Sequence, residues 1–168
     1  RDNSGAHHAG YWGNFIPQIP NQLLRRYTKK GEWILDPFLG SGTTLIEAQR
    51  LGRNAVGIEL LKKVLDQTKK NIAKEANSNK AILEFINGDS ASVDIEKVIS
   101  SLEIKSFQFQ IFHPPYWDII KFSDNKSDLS NTNSIEEFLK GFGSVLDNCL
   151  PHLDQKRFAA VVISDKYS

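Results

Sequence analysis

Residues 36–44 read Asp36-Pro37-Phe38-Leu39-Gly40-Ser41-Gly42-Thr43-Thr44, and this stretch decides the fold class. It follows residues 32–36, whose composition predicts a strand, and it leads into residues 41–51, which predict a helix ending at Gly52. Its two glycines can adopt positive φ, as a tight turn between a strand and a helix often requires. The stretch therefore predicts a strand–turn–helix unit of an α/β fold.

The same alternation of short apolar runs and longer amphipathic segments continues downstream. Further strands are predicted over 54–59, 81–86, 107–112 and 158–163, and further helices over 61–76, 93–102 and from Ser134 onward. Strands that alternate with helices in this way favour a mostly parallel sheet with helices on both faces. We expect one domain over residues 1–168, because no linker or internal repeat interrupts the pattern.

The last predicted helix opens with a capping box that runs from Ser134 to Glu137. The polar run 123–133 before it breaks the periodicity and predicts a long surface loop, which either closes over a ligand or only connects its neighbours. Apolar residues then recur at helical spacing, so we expect their face to be core: Ile135, Phe138, Leu139, Phe142, Val145, Leu146 and Cys149.

Composition narrows the class of protein. A net charge of +1 gives no overall basic field, so any nucleic acid would have to be bound by a local group of lysines and arginines. No run of apolar residues is long enough for a membrane span. The single cysteine, Cys149, indicates a reducing compartment such as the cytoplasm and is expected to fill the core. Only His7-His8 pairs potential metal ligands, and we interpret that pair as a flexible, tag-like segment and predict no metal site.

Two acidic residues stand at the ends of successive predicted strands, at the edge where open parallel sheets bind ligands. Asp36 ends the first strand, and its carboxylate suits a cationic amino group such as that of a methionine moiety. Glu59 ends the second strand, where a carboxylate can accept hydrogen bonds from both hydroxyls of a ribose. The glycine spacing matches neither a GxxxxGK[ST] phosphate loop nor a full GxGxxG loop, so a nucleotide phosphate is not the expected ligand.

A third feature, His113-Pro114-Pro115-Tyr116-Trp117, follows the fourth predicted strand. The two prolines fix a rigid turn and remove two amide donors, while their carbonyl groups remain as acceptors. Tyr116 and Trp117 offer flat aromatic faces. The combination can hold an amino group by its protons while stacking the ring that carries it.

These motifs together resemble the DNA amino-methyltransferases, which make N6-methyladenine or N4-methylcytosine, and the His-Pro-Pro-Tyr-Trp loop resembles that of some bacterial DNA methylases. The resemblance implies a Rossmann-like, S-adenosylmethionine-dependent methyltransferase fold with seven strands, of which this chain would hold five. It also implies S-adenosyl-L-methionine as cofactor, DNA as partner and a role in restriction-modification. Because the chain starts at Arg1, lacks methionine and ends after the fifth strand, we expect a fragment truncated there.

The resemblance also implies a role for each matching residue. Around the methionine part of the cofactor would lie Asp36, Phe38, Gly40 and Thr43. Glu59 would contact the ribose, and Asp89 the adenine. The same resemblance implies further cofactor contacts. Pro17 belongs to a segment, residues 14–24, that would close over the methionine end of the cofactor. The glycine loop would add Pro37, Ser41, Gly42 and Thr44, and the residues after the third strand would add Ser90. The catalytic residues would be His113, Pro114, Pro115 and Tyr116, with Tyr116 stacking on a flipped-out base.

Position 113 departs from the family pattern, which has Asp, Asn or Ser there. A histidine accepts a hydrogen bond only when it is neutral, and through one nitrogen. The departure leaves a working variant, a different target or weakened activity, and we favour the working variant. Methyl transfer would then fall as the pH drops through the titration of the imidazole.

The chain could alternatively methylate an amino group of tRNA or rRNA, or bind the cofactor as an inactive module for assembly. A small-molecule methyltransferase would leave the Pro-Pro-Tyr-Trp loop unexplained. The sequence decides neither adenine against cytosine nor the oligomeric state. Candidate phosphate contacts are Lys121, Lys126, Arg25 and Arg26.

Overall fold

The computed structural model describes residues 5–7, 13–116 and 121–163. Five helices and five strands alternate along these residues, with short 3₁₀ helices at Leu129–Asn131 and Leu150–His152. The helices and strands are α1 (Gln18–Tyr27), β1 (Trp33–Asp36), α2 (Thr43–Leu51), β2 (Asn54–Glu59), α3 (Lys62–Ile72), β3 (Leu83–Asn87), α4 (Ile95–Ser101), β4 (Phe107–Phe112), α5 (Ile135–Cys149) and β5 (Leu153–Val161).

The strands form one sheet in the order β3-β2-β1-β4-β5, and every neighbouring pair is parallel. The predicted α/β class and parallel sheet are therefore confirmed. Strands β1 and β4 lie at its centre, and their residues are almost entirely buried. The order reverses beside β1, which creates the kind of switch point where such sheets bind ligands.

Helices cover both faces of the sheet, as predicted. One core cluster joins Leu24 of α1, Leu45 of α2 and Leu65 of α3 to the sheet. The other packs Ile95 of α4 and Val145 of α5 against the opposite face. In the part of the chain that the structure describes, no helix combines the length and the apolar character needed to cross a membrane.

Helix α1 has no counterpart among the predicted elements, because prolines stand at its start. Pro17 is its N-cap residue and Pro20 lies in its first turn. A proline is tolerated there because the first amides of a helix lack intrahelical partners anyway. A sequence pattern with two prolines three residues apart therefore conceals a helix.

Strand β5 begins five residues before the predicted start at residue 158. Its first half holds the polar run 154–157, and Lys156 has a φ of 59°. The pairing with β4 shifts register at this point, since Phe107 pairs with Leu153 but Phe109 pairs with Phe158. An irregular strand with exposed polar residues does not show the apolar pattern on which the prediction rested.

The predicted core face of α5 is correct only in the second half of the helix. Val145 and Cys149 are buried, whereas Ile135 is 41% and Leu139 57% exposed. The helix meets the sheet with its C-terminal half, so its N-terminal apolar residues lie beyond the core. Burial raises the pKa of the Cys149 thiol to about 12, which fits the core role predicted for this residue.

Candidate active site

One cavity of about 320 Å³ lies at the carboxyl edge of the sheet. Because β1 to β4 are parallel, the residues that follow them meet at this edge. The strand order places the loops after β3, β2, β1 and β4 side by side. The cavity is accordingly lined by Asp89, Glu59, Asp36 and His113, one from each loop or strand end.

The glycine loop forms one wall of this cavity. Gly40 and Gly42 have φ values of 51° and 85°, as the predicted tight turn requires. The Gly42 amide donates a hydrogen bond to the Leu39 carbonyl, and α2 begins at the next residue. A Cβ atom on Gly42 would lie 2.7 Å from Cγ2 of Thr68, so this glycine lets the loop pack closely against α3.

Asp36 is the most deeply buried carboxylate of the cavity, with 2% of its surface exposed. One carboxylate oxygen accepts a hydrogen bond from the Phe38 amide at 2.9 Å. Burial nevertheless raises the pKa of the Asp36 carboxyl to about 6. No lysine, arginine or histidine among the described residues forms an ion pair with this carboxylate, and such a buried carboxylate favours a ligand that brings its own positive charge.

Glu59 is held by the backbone of two loops. Its carboxylate oxygens accept hydrogen bonds from the amides of Gly40 and Leu61, at 2.9 and 2.8 Å. Burial raises the pKa of the Glu59 carboxyl in spite of these bonds, and the nearby Asp36 and Asp128 raise it further. Each oxygen keeps one acceptor position after its amide bond, so the carboxylate can still receive two hydroxyl groups.

The loop after β3 brings Asp89 and Ser90 to the cavity. Asp89 accepts a hydrogen bond from the Ala91 amide, and the Ser90 hydroxyl donates to the Pro37 carbonyl. Asn148 of α5 donates to the Ser90 carbonyl at 3.0 Å. These bonds tie the loop after β3 both to Pro37 of the glycine loop and to α5.

His113 forms the wall after β4, where it is enclosed by two aromatic rings. Its Nε2 lies 3.0 Å from the hydroxyl oxygen of Tyr116, and the ring of Phe15 meets it edge-on at 4.6 Å between centroids. Burial lowers the pKa of the His113 imidazole to about 4. The ring is therefore neutral at physiological pH and can act as a hydrogen-bond acceptor. Pro114 is buried beside it, and Pro115 and Tyr116 also line the cavity.

The polar loop 123–133 also contributes to the cavity, through Ser127, Asp128, Leu129 and Thr132. Asp128 is buried and organises this loop by accepting hydrogen bonds from the hydroxyl groups of Ser123 and Ser130, both at 2.7 Å. Asn131 donates to the carbonyl groups of residues 123 and 125. The loop thus has a defined hydrogen-bonded structure, and of the two predicted roles its position favours closing over a ligand.

The structure brings most of the predicted site residues to the cavity. Those that line it are Asp36, Pro37, Phe38, Gly40, Thr43, Thr44, Glu59, Asp89, Ser90, His113, Pro114, Pro115 and Tyr116. Three predicted cofactor contacts do not. Pro17 is buried at the start of α1, Gly42 faces α3, and the Ser41 hydroxyl donates to Asn14. Trp117 lies outside the described residues.

Several lining residues were missing from the predicted set, among them Asn14, Phe15, Asp128 and Val145. Asn14 and Phe15 begin the segment that was expected to cover the methionine end of the cofactor, but the prediction selected Pro17. Asp128 could have been suspected from its place in a polar loop, because Asp followed two residues later by Ser is typical of a local turn in which the side chain binds the backbone. Nothing in the sequence marks Val145 as a lining residue rather than a core residue.

The interpretation of His7 as part of a flexible segment is wrong. His7 is buried, and its Nε2 lies 2.8 Å from a carboxylate oxygen of Glu47 in α2. Arg50 binds the same carboxylate and also Glu75, which accepts a hydrogen bond from the Ala6 amide. These contacts tie residues 5–7 to α2 and to the end of α3. His8 lies outside the described residues.

The cavity has several carboxylates and little positive charge among its described lining residues. Asp36, Glu59, Asp89 and Asp128 all line it, but among the residues described no three His, Cys, Asp or Glu side chains lie close enough together to hold a metal ion. Among the described residues that line the cavity, Lys126 is the only lysine or arginine. The site therefore favours an organic cation over an anion such as a nucleotide phosphate.

Comparison with known proteins finds sequence similarity to methyltransferases. Residues 4–70 match the model of a family described as DNA methylase. Over 112 residues the chain is 30% identical to Type II methyltransferase M.MjaII of Methanocaldococcus jannaschii, covering 60% of this chain and 21% of that protein. Over 163 residues it is 29% identical to a candidate ribosomal RNA large subunit methyltransferase of the same organism, covering 92% of this chain and 40% of that protein.

A solved structure shares the fold. The TehB-like SAM-dependent methyltransferase from Corynebacterium glutamicum superposes with a TM-score of 0.56 at 14% identity, covering 88% of this chain and 62% of that one. The predicted Rossmann-like fold is thereby confirmed. The chain spans 21% and 40% of the lengths of the two curated relatives, and the family match includes the glycine loop and Glu59 but ends before Asp89 and residues 113–116.

Proposed function

We propose that this chain transfers a methyl group from S-adenosyl-L-methionine to the exocyclic amine of a DNA base, and the match of residues 4–70 to the DNA methylase family and the similarity to a Type II methyltransferase support the proposal. The target would be adenine N6 or cytosine N4. One observation carries the proposal. A single cavity joins the acidic strand ends Asp36, Glu59 and Asp89 to the His113–Tyr116 loop.

The residues of the cavity fit this cofactor. Its volume of about 320 Å³ falls within the range of ~300–1,000 Å³ of small-molecule sites. Asp36 would bind the α-amino group and thereby receive the cation that its buried carboxylate lacks. Glu59 would accept the ribose hydroxyls through the acceptor positions that the amides of Gly40 and Leu61 leave open. Asp89 would contact the adenine.

The remaining cofactor residues would shape the methionine end. The glycine loop and the start of α2 form one wall of the cavity. This wall contains Phe38, Gly40 and Thr43, together with Pro37 and Thr44. Ser90 would act through the Pro37 carbonyl that accepts its hydroxyl hydrogen bond. When bound, the cofactor supplies a methyl group that its sulfonium charge has already activated.

The loop after β4 would hold the target amine. Such an amine is a poor nucleophile because its lone pair is delocalised into the base. The Pro114 carbonyl and the neutral His113 ring would accept hydrogen bonds from its two N–H groups and so localise that lone pair. Transfer of the methyl group would leave S-adenosylhomocysteine, and the methylated nitrogen would lose one proton to solvent. Pro115 keeps the turn rigid, and the Tyr116 ring would stack on the base. In a duplex the base must first be flipped out, which costs roughly a few kcal/mol. Positioning supplies most of the rate enhancement.

An RNA base is the second candidate target, and a specific observation favours it. The relative that aligns over 92% of this chain is a candidate ribosomal RNA methyltransferase, and its 163 aligned residues extend beyond the range matched by the DNA methylase model. The chemistry of the site would be the same for either polymer. We further propose a cytoplasmic location, where both polymers and the cofactor are available.

Product analysis tests the proposal. The protein is incubated with methyl-labelled cofactor and with double-stranded DNA, single-stranded DNA, tRNA or rRNA, and each digested polymer is analysed by mass spectrometry. We expect N6-methyladenine or N4-methylcytosine in DNA, and none with the variant Asp36→Ala. An N-methylated base in RNA alone would establish the second candidate. Cofactor binding without any methylated product would indicate the inactive module.

A further inference from the structure

The hydrogen bond between His113 and Tyr116 determines which nitrogen of the histidine can meet a substrate. Nε2 lies 3.0 Å from the Tyr116 hydroxyl oxygen, and the Phe15 ring packs edge-on against the imidazole. Phe15 and Tyr116 therefore fix the orientation of the imidazole. With Nε2 engaged by Tyr116, Nδ1 is the nitrogen left for a target amine.

A neutral imidazole carries one proton, so the identity of the protonated nitrogen decides what Nδ1 can do. If Nε2 carries the proton, it donates to Tyr116 and Nδ1 presents a lone pair. If Nδ1 carries the proton, the Tyr116 hydroxyl must donate to Nε2, and the ring then offers the site only a donor. Burial keeps the imidazole neutral by lowering its pKa to about 4, so these two forms are the ones that compete near pH 7.

We propose that Tyr116 is a positioning residue whose hydroxyl oxygen accepts a hydrogen bond from Nε2–H of His113, leaving Nδ1 to accept a hydrogen bond from one N–H of the target amine. This inference rests on the proposed function and gives Tyr116 a second role besides stacking. Tyr116 is only half-buried, so its own hydroxyl proton can bind water while the oxygen acts as acceptor. Tyr116 thus compensates for the histidine at position 113.

The tautomer can be measured without any methyl transfer. The protein is labelled with ¹⁵N in its histidine rings, and the signals of His113 are identified by their loss in the variant His113→Gln. We expect His113 at pH 7 to be neutral and protonated at Nε2, and the variant Tyr116→Phe to shift the ring toward a mixture of tautomers. A wild-type ring protonated at Nδ1, or a ring unchanged by Tyr116→Phe, would overturn the inference.

Kinetic coupling provides a second readout. Tyr116→Phe keeps the aromatic face and removes the hydroxyl, so kcat should fall by ~5–10-fold, as expected for one hydrogen bond, at an unchanged KM for the cofactor. In a His113→Asn background the amide oxygen accepts without any choice of tautomer. The same tyrosine substitution should therefore cost clearly less there.

Equal losses in the two backgrounds would contradict the positioning role of Tyr116. Tyr27→Phe is the matched control, because the Tyr27 ring packs against Phe109 and Phe158 and does not line the cavity. It should leave kcat unchanged. A wild-type protein that methylates no polymer would refute the proposed function instead, and the ¹⁵N spectrum would still decide the tautomer.

Discussion

At the scale of the residue, Asp36 combines a cost in stability with a binding role. Its carboxyl pKa is about 6 in the folded protein and 3.8 for an ordinary aspartate, so the folded state holds the proton more tightly. The stability of the free protein is therefore expected to fall as the pH rises from about 4 to about 6. The shift corresponds to a cost of at most ~3 kcal/mol at neutral pH, since one pKa unit is about 1.4 kcal/mol.

We accordingly expect Asp36→Asn to raise the melting temperature at pH 7 while it weakens cofactor binding. The gain should shrink toward pH 4, where the wild-type carboxyl is protonated and uncharged as well. Thermal unfolding at several pH values and calorimetric titration of the cofactor measure the two effects. Asp66→Asn, which changes a half-buried aspartate of α3 that pairs with Lys62 and does not line the cavity, should show neither the gain in melting temperature nor the weaker cofactor binding. A variant that is less stable than wild type at pH 7 but binds the cofactor normally would refute this account of Asp36.

The burial of His113 changes the pH profile that the sequence alone suggests. With an ordinary imidazole pKa of 6.5, transfer would decline already near neutral pH. Because burial lowers this pKa to about 4, we expect kcat at saturating cofactor to stay level from pH 8 to about 5 and to fall only toward pH 4. Saturation matters, because protonation of Asp36 near pH 6 weakens cofactor binding. Single-turnover rates across this range measure the profile, and a midpoint near 6.5 would contradict it.

The sequence could predict Asp36, Glu59, Asp89 and His113 as one site because each stands at or just beyond the end of a strand. Parallel pairing brings such residues together whatever the exact contacts are. It could not predict that Asp36 is half-protonated near pH 6 or that His113 binds Tyr116. Those properties depend on burial and on side-chain distances, which no linear pattern encodes.

At the scale of the element, the boundaries of β2 and β4 match the prediction, whereas those of α1 and β5 do not. Buried central strands consist of continuous apolar residues and are easily recognised. Two prolines conceal α1, and a register shift with exposed polar residues conceals the first half of β5. Local irregularities that tertiary contacts stabilise are invisible to a periodicity argument.

The turn between β1 and α2 yields a prediction about stability. In Gly42→Ala the new Cβ would sit at a φ of 85° and 2.7 Å from Thr68, so the free energy of unfolding should fall by ~2–4 kcal/mol. Gly143→Ala is the matched control, because a Cβ at that position of α5 meets nothing within 4 Å. That substitution should stabilise the helix by ~0.5–1 kcal/mol. Urea denaturation compares the two, and equal effects would show that the glycine loop tolerates a side chain.

At the scale of the whole molecule, a net charge of +1 means that attraction for a nucleic acid must be local. Lys126 is exposed and lines both the cavity and an open groove on the outer side of the loop 123–133. Lys121 lines the same groove but not the cavity, and it forms an ion pair with Asp124. Arg25 and Arg26 end α1 and do not line the cavity either. Of the four predicted phosphate contacts, Lys126 is therefore the one that we expect to bind a phosphate if the target is part of a nucleic acid.

We expect Lys126→Ala to raise the KM for DNA and to reduce the slope of log affinity against log salt concentration by about 0.9, the value for one lost phosphate contact on a duplex. The cofactor affinity should not change. Lys121→Ala removes an equal charge from the same groove and should alter the slope much less, because Lys121 already pairs with Asp124. Fluorescence anisotropy measures DNA binding by the two variants at salt concentrations from roughly 50 to 300 mM, where phosphate contacts strongly affect the affinity. Equal slopes for both would mean that nucleic acid approaches the cavity from a side other than that of Lys126.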